Sequence, residues 1–142
     1  MTFDHSVLHE VLSSRLDRQL AAAAPIALAI CDSHGELLYF IRQPGVGLQS
    51  GVLAQNKGYT AARDRQATRD LGNWSRESGR ALSYWSDPRF TGFAGGVPLW
   101  HEGVVIGAVG VSGLSEEEDH LLATELGQHL IRITEEANQG RS

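Results

Sequence analysis

The sequence predicts an α+β domain in which three main helices pack on a central antiparallel sheet of four to five strands. Two pairs of short apolar segments support the sheet, because a tight turn joins each pair, at residues 32–35 and 102–103. Tight turns connect antiparallel neighbours. Three longer segments show helical periodicity or a helix cap, and packing them on the sheet gives a two-layer arrangement. We expect residues 1–142 to form this single domain, since the length suits one core.

The first predicted helix covers about residues 4–23. Its apolar residues recur every three to four positions and form one stripe: Val7, Leu8, Val11, Leu12 and Leu16. This spacing is typical of an amphipathic helix. Thr2 and Asp4 are both suitable N-cap residues.

The first predicted hairpin spans residues 25–42. Residues 25–31 form an apolar run after a proline, which is typical of a strand buried on both faces. The next four residues, Asp-Ser-His-Gly, have the composition of a turn. Residues 36–42 then form the second strand, which ends before Pro44.

The centre of the chain is predicted to be one long helix followed by an irregular segment. No proline interrupts residues 50–77, and Ser50 can cap a helix there. Gly58 and Gly72 each weaken this helix by about 1 kcal/mol relative to alanine, although a glycine deep in a helix often allows close packing. Residues 78–93 carry aromatic side chains, which in loops often line ligand pockets or subunit interfaces. These are Tyr84, Trp85, Phe90 and Phe93.

The C-terminal part is predicted to be a second hairpin and a final helix. Residues 97–101 and 104–111 are apolar β segments on either side of Glu102 and Gly103. Ser115 and Glu118 have the spacing of a capping box. The final helix then carries an apolar stripe and ends near residue 140. The stripe consists of Leu122, Leu126, Leu130 and Ile133.

Composition and charge disfavour several classes of protein. The formal net charge is −5 and the 12 Lys and Arg residues form no block, so we expect no nucleic-acid partner. The longest apolar run, residues 21–31, is too short to span a bilayer, so we expect no membrane partner. The first residues lack a signal-peptide pattern, which predicts a cytoplasmic location. Cys31 is the only cysteine, which excludes an intramolecular disulfide, and we expect it to be buried.

The histidines and glycines match no metal or nucleotide motif. No Cys/His spacing fits a zinc site, and His5 and His9 have no identifiable third ligand, so we predict no bound metal ion. The glycines at 107, 110 and 113 lack the dinucleotide spacing, and the acidic residues 116–119 would repel a phosphate. A single axial ligand to haem needs no sequence pattern, so the sequence leaves haem open.

Several segments together resemble the GlcG/HbpS-like family. They are residues 32–37 (Asp-Ser-His-Gly-Glu-Leu), 57–61 (Lys-Gly-Tyr-Thr-Ala), 95–98 (Gly-Gly-Val-Pro), and 107–113 (Gly-Ala-Val-Gly-Val-Ser-Gly) with Asp119. Members of this family include haem-binding proteins and the C-terminal domain of PduO-type corrinoid adenosyltransferases. The resemblance implies an antiparallel sheet flanked by helices and assembly into dimers or larger homo-oligomers. It also implies binding of a small organic ligand, with haem or another tetrapyrrole as the candidate.

The predicted ligand site is a pocket near Lys57, Thr60, Gly95, Gly96, Ser112 and Gly113. Lys57 and Thr60 are three residues apart and share a helix face, where an ammonium group beside a hydroxyl can bind a carboxylate or a propionate. The alternative is a surface Lys57 paired with Asp64. We expect Lys57 to be exposed or weakly paired, so that Lys57→Met changes stability by about 1 kcal/mol or less.

The sequence leaves a second class of function open. The chain would then be a small cofactor-independent enzyme of catabolism or biosynthesis, an isomerase or a hydrolase. Lys57, His101 or Asp119 would transfer the proton. His101 precedes the turn at residues 102–103, and we expect it to be exposed to solvent.

Overall fold

The computed structural model describes residue 3 and residues 5–140, which contain four α-helices and four strands. Their order is α1 (His5–Ala21), β1 (Ala27–Asp32), β2 (Leu37–Arg42), α2 (Ser50–Asp64), α3 (Thr68–Ser78), β3 (Gly96–His101), β4 (Val104–Ser112) and α4 (Glu116–Gln139). A short 3-10 helix, Leu82–Trp85, lies between α3 and β3. The predicted α+β class is confirmed, with four helices in place of three.

The four strands form one antiparallel sheet in the order β2-β1-β4-β3. β1 pairs with β2 and with β4, and β3 pairs with β4 so that Val97 lies opposite Val109. The turn between β3 and β4 has positive φ angles at Glu102 and Gly103, 50° and 78°. Both predicted hairpins are therefore confirmed.

Helices cover both faces of this sheet. In β1, Leu28 and Ile30 pack in one cluster with the leucines of α1 and α4. The alternate residues Ala27 and Ala29 pack with Ala54 of α2. Because successive side chains of a strand point to opposite faces, α1 and α4 lie on one face and α2 lies on the other. The two-layer expectation is wrong, whereas β1 is buried on both faces as predicted.

Glycines allow α2 to approach the sheet closely. Gly58 of α2 and Gly110 of β4 face each other, and a Cβ atom on Gly110 would overlap the carbonyl oxygen of Ala54. A Cβ atom on Gly58 would lie 2.9 Å from Sγ of Cys31. The close packing predicted for a glycine deep in this helix is therefore confirmed.

The long helix predicted for residues 50–77 is two helices. Arg65 has a left-handed φ of 59° and ends α2, where its N–H donates to the carbonyl oxygen of Ala61 at 3.0 Å. α3 begins at Thr68, whose buried Oγ1 accepts a hydrogen bond from the N–H of Gly96 at 2.9 Å. This contact is distant in sequence, so local composition gives no sign of the break.

The predicted helix caps differ in outcome. Ser50 is the first residue of α2, and the cap residue before it makes no side-chain cap bond. Ser115 is the N-cap of α4, and its Oγ accepts from the N–H of Glu118 at 3.1 Å, as predicted. The caps considered at Thr2 and Asp4 lie outside the described residues. No helix among the described residues is both long and apolar enough to cross a membrane.

Candidate functional site

Lys57 lies in the interior, where α2, β4 and α4 meet. Its side chain is 3% exposed. Its Nζ donates to the carbonyl oxygen of Val111 at 2.9 Å and to Oδ2 of Asp119 at 3.1 Å. Oδ1 of Asp119 accepts from the N–H of Leu114 at 3.1 Å. The expectation that Lys57 is exposed or pairs with Asp64 is wrong, because its partner is 62 residues away in the first turn of α4.

Burial dominates the electrostatics of this ion pair. It lowers the pKa of the Lys57 ammonium group, and the negative charge of Asp119 opposes this effect. Burial likewise raises the pKa of Asp119, and the charge of Lys57 opposes it. A buried ion pair is tolerated only while each charge has its partner, so removal of either side chain would leave an uncompensated buried charge.

Two glycines before and at the start of β3 pack closely here, Gly95 against the ion pair and Gly96 against the main chain of Lys57. Gly95 has a φ of 127°, and a Cβ atom there would lie 3.0 Å from Nζ of Lys57 and from Cβ of Asp119. A Cβ atom on Gly96 would lie 2.7 Å from Cγ2 of Thr68. Protein atoms therefore fill the space beside both glycines, and the glycines permit close packing of β3.

Three other residues of the predicted pocket, Thr60, Ser112 and Gly113, also lie against other parts of the protein. Thr60 is fully buried, and its Oγ1 accepts from the N–H of Thr91 at 3.2 Å and donates to the carbonyl oxygen of Arg89 at 3.4 Å. Ser112 is buried at the end of β4, and a Cβ atom on Gly113 would lie 2.7 Å from a side chain of the loop before α2. Four cavities of the described residues are lined by other side chains. A ligand-binding role for the six residues stays a prediction.

The three residues considered for proton transfer lie at two separate places. His101 is half-buried, contrary to the expected exposure, and its Nδ1 lies 3.0 Å from Oε1 of Glu135. Lys57 pairs with Asp119 at the other end of α4. Asp119 and Glu135 are 16 residues apart in α4, which corresponds to about 24 Å along the helix. His101 therefore cannot act with Lys57 or Asp119 on one small substrate.

Cys31 is buried, as predicted. It is 1% exposed, and burial raises the pKa of its thiol to about 12. The thiol therefore stays protonated at neutral pH and is not a nucleophile. Within residues 3 and 5–140, no three His, Cys, Asp or Glu side chains come together as a metal-ligand group.

The sequence pattern does not predict the groove that lies between α1 and α4. Its volume is about 460 Å³. Part of its lining is apolar, namely Val7, Val11, Leu126 and Ile133. The charged or titratable part is Glu10, Arg15, Arg18, Glu125, His129 and Glu136. The sequence feature that could have indicated this groove is the pair of valines, Val7 and Val11, beside the leucine stripe of α1. Both are partly exposed in the structure and line the groove together with Ile133, the last residue of the α4 stripe.

Hydrogen bonds and a ring contact of aromatic residues hold the irregular segment, residues 78–93, against α2. Nε1 of Trp85 donates to Oδ1 of Asp64 at 3.1 Å. The hydroxyl of Tyr59 donates to Asp87, and the guanidinium of Arg89 lies 3.9 Å from the centre of the Tyr59 ring. The same segment helps to line a cavity of about 290 Å³ next to α3, so some of its aromatic residues do face a pocket.

Fold and cavities together define the class of protein. It is a small α+β domain with a four-stranded antiparallel sheet, helices on both faces, and a groove of the size that small ligands occupy. The chain belongs to the HbpS-like family, because the family model described as haem degrading protein HbpS-like matches residues 3–126. The family resemblance recognised in the sequence is therefore confirmed.

Relatives and solved structures agree with this assignment. Corrinoid adenosyltransferase PduO of Salmonella typhimurium (strain LT2) is 34% identical over 116 residues, which are 79% of this chain and 34% of PduO. The chain thus spans about a third of the length of that relative. An uncharacterized 15.0 kDa protein of Citrobacter freundii is 33% identical over 108 residues, 75% of this chain and 76% of that protein. The crystal structure of a PduOC:haem complex has a TM-score of 0.77 and 28% identity, covering 93% of this chain and 94% of that one.

Proposed function

We propose that this chain is a small-molecule-binding protein that binds haem or another tetrapyrrole. The observation that carries the proposal is the likeness to PduOC in its haem complex, which extends over 93% of the chain at 28% identity. Because one fold can host many functions, the proposal also requires that residues of this chain suit the group.

A haem site needs apolar contacts for the macrocycle, a donor atom for the iron, and cations for the propionates. The groove between α1 and α4 offers all three. Val11 and Ile133 contribute apolar surface, His129 an imidazole, and Arg18 an exposed guanidinium. Arg15 is less available, because its Nη1 lies 2.7 Å from Oε2 of Glu125. The residues of the groove therefore fit the group.

Size favours this groove over a second cavity beside α1. The second cavity lies against β2, has a volume of about 240 Å³, and includes His9, Tyr39 and Arg42. A tetrapyrrole is a broad, planar ligand, so the groove of about 460 Å³ is the better match. Bound haem would supply a redox-active iron. The chain would hold that iron through His129 and hold the propionates near Arg18.

The competing function, a cofactor-independent isomerase or hydrolase, has less support. It would use Lys57, His101 or Asp119 for proton transfer. The buried Lys57 and Asp119 side chains already bind each other, and His101 lies near the opposite end of α4. The geometry therefore favours binding over acid–base catalysis.

We also propose that the protein forms a homo-oligomer, at least a dimer, that it is cytoplasmic, and that it does not bind nucleic acid. Exposed aromatic side chains support self-association, since Tyr84 is 71% and Phe93 is 57% exposed. The net charge of −5 argues against binding to a phosphate backbone. Light scattering at tens of micromolar protein would disprove the oligomer if it detected only monomers.

Titration with haem, followed by the Soret absorbance, tests the proposed function. We expect a stoichiometric shift that His129→Ala abolishes while the melting temperature stays unchanged, because this histidine is only half-buried on the wall of a groove. His9→Ala is the matched control, since His9 lines the other cavity. Loss of the shift in His9→Ala alone would move the site to that cavity. Absence of a shift in the unaltered protein would disprove haem binding.

A further inference from the structure

The two helices that form the groove are antiparallel. Gln19, near the C-terminal end of α1, and Glu118, in the first turn of α4, line one and the same cavity. Arg15 lies about one turn before Gln19 in α1, and its Nη1 is 2.7 Å from Oε2 of Glu125, which lies about two turns after Glu118 in α4. Residues early in α1 therefore face residues late in α4.

The charged side chains that line the groove therefore differ between its two ends, while Arg132, outside the lining, contacts Nδ1 of His129 at 3.3 Å. Arg18 lies at the end formed by the last turn of α1 and has no carboxylate partner among the described residues. The nearby Arg15 is neutralised by Glu125. The exposed carboxylates of Glu10 and Glu136 lie towards the other end. Glu10 and Arg18 are eight residues apart in α1, which is about 12 Å. This distance exceeds the Debye length of about 8 Å at physiological salt, so each end presents its own charge.

We infer that the groove selects tetrapyrroles whose carboxylates lie along one edge of the ring and rejects those with carboxylates around the whole ring. This inference rests on the proposed function and names the residues that set its specificity. Carboxylates along one edge would meet Arg18 and leave an uncharged edge near Glu10 and Glu136. Carboxylates on the opposite edge would be brought against those two glutamates, where like charges repel in a partly desolvated groove.

Two metal-free porphyrins provide the test, because their binding does not depend on an axial ligand. Protoporphyrin IX has its two propionates on one edge, and coproporphyrin III has four around the ring. Porphyrin fluorescence at physiological salt gives both dissociation constants. We expect protoporphyrin to bind at least tenfold more tightly than coproporphyrin, and Arg18→Gln to weaken protoporphyrin binding several-fold.

The double variant Glu10→Gln/Glu136→Gln isolates the repulsive part of the mechanism. It should strengthen coproporphyrin binding about tenfold, through the loss of two like charges, and strengthen protoporphyrin binding far less, because the uncharged edge of that ring would lie there. The double variant Glu77→Gln/Glu117→Gln changes the net charge equally at exposed positions outside the groove lining, and it should leave the ratio of the two constants unaltered.

Each result bears on a different claim. Equal binding of the two porphyrins, or an equal response to both double variants, would overturn the inference while the proposed function stands. The inference would also fail if haem gave its Soret shift and neither metal-free porphyrin bound. If neither haem nor the porphyrins bound, the proposed function would be wrong and the inference with it.

Discussion

Replacing Lys57 with methionine should destabilise the protein strongly, because it leaves Asp119 buried without its partner. The Asp119 side chain is 3% exposed, and its Oδ2 would lose the contact of 3.1 Å with Nζ. Breaking a buried ion pair on one side costs about 3–5 kcal/mol. At about 3 °C per kcal/mol for a domain of this size, the melting temperature should fall by roughly 10–15 °C. The expectation of 1 kcal/mol or less, which assumed an exposed lysine, does not apply to this geometry.

The effect of Lys57→Met should depend on pH. Without the opposing charge of Lys57, burial raises the pKa of Asp119 still further above its unfolded value of about 4. A group whose pKa is raised by folding favours the folded state below its unfolded pKa, and this contribution is lost as the pH rises through the folded pKa. The variant should therefore lose least stability near pH 4–5 and progressively more towards neutral pH.

Urea unfolding at pH 5 and pH 7.5 measures both effects. Lys57→Met/Asp119→Asn should recover part of the loss, since it leaves no unpaired charge. Arg69→Met is the control, because Arg69 forms an exposed ion pair with Asp70 at 3.7 Å, and its loss should cost below about 1 kcal/mol. A change within about 1 kcal/mol that is the same at both pH values would refute the reasoning. Loss of haem binding by Lys57→Met while it is still folded would favour the pocket predicted around Lys57.

Two further predictions concern the face of the sheet that α2 covers. Gly110→Ala should lower the free energy of urea unfolding by about 3 kcal/mol, because its Cβ would overlap the carbonyl oxygen of Ala54. Gly47→Ala is the control and should have a far smaller effect, since its Cβ would lie 3.3 Å from Oγ of Ser50. Equal losses in the two variants would contradict this account. Cys31 should react with a thiol reagent only as fast as the protein unfolds, since it is 1% exposed and its pKa is raised to about 12. Rapid labelling under native conditions would show that the thiol is accessible.

Elements that depend on neighbouring residues could be predicted from the sequence. The turn residues at 32–35 and 102–103 define both hairpins, and the bond from the N–H of Glu118 to Oγ of Ser115 defines the start of α4. Each of these signals acts within a few residues, so the amino-acid pattern contains it directly.

Features that depend on distant contacts could not be predicted. Asp64 is the carboxylate near Lys57 in sequence. In the folded protein, however, Asp64 accepts a hydrogen bond from Trp85, and Lys57 pairs with the distant Asp119. The break at Arg65 lacks a local signal, because the left-handed conformation that ends α2 falls on an arginine and not on a glycine. The groove needs α1 beside α4, and these helices are separated by the whole sheet along the chain.

The glycine contact between α2 and β4 divides the domain into a part that resists mutation and a part that accepts it. Where Gly58 and Gly110 meet, main chain lies against main chain, and there is no side chain to exchange. On the opposite face, leucines of α1 and α4 fill the interior, and hydrophobic side chains of similar volume can replace one another at small cost. The exposed walls of the groove accept substitution more readily still, because surface changes cost only about 0.5 kcal/mol, so sequence differences should accumulate there before they do around Lys57.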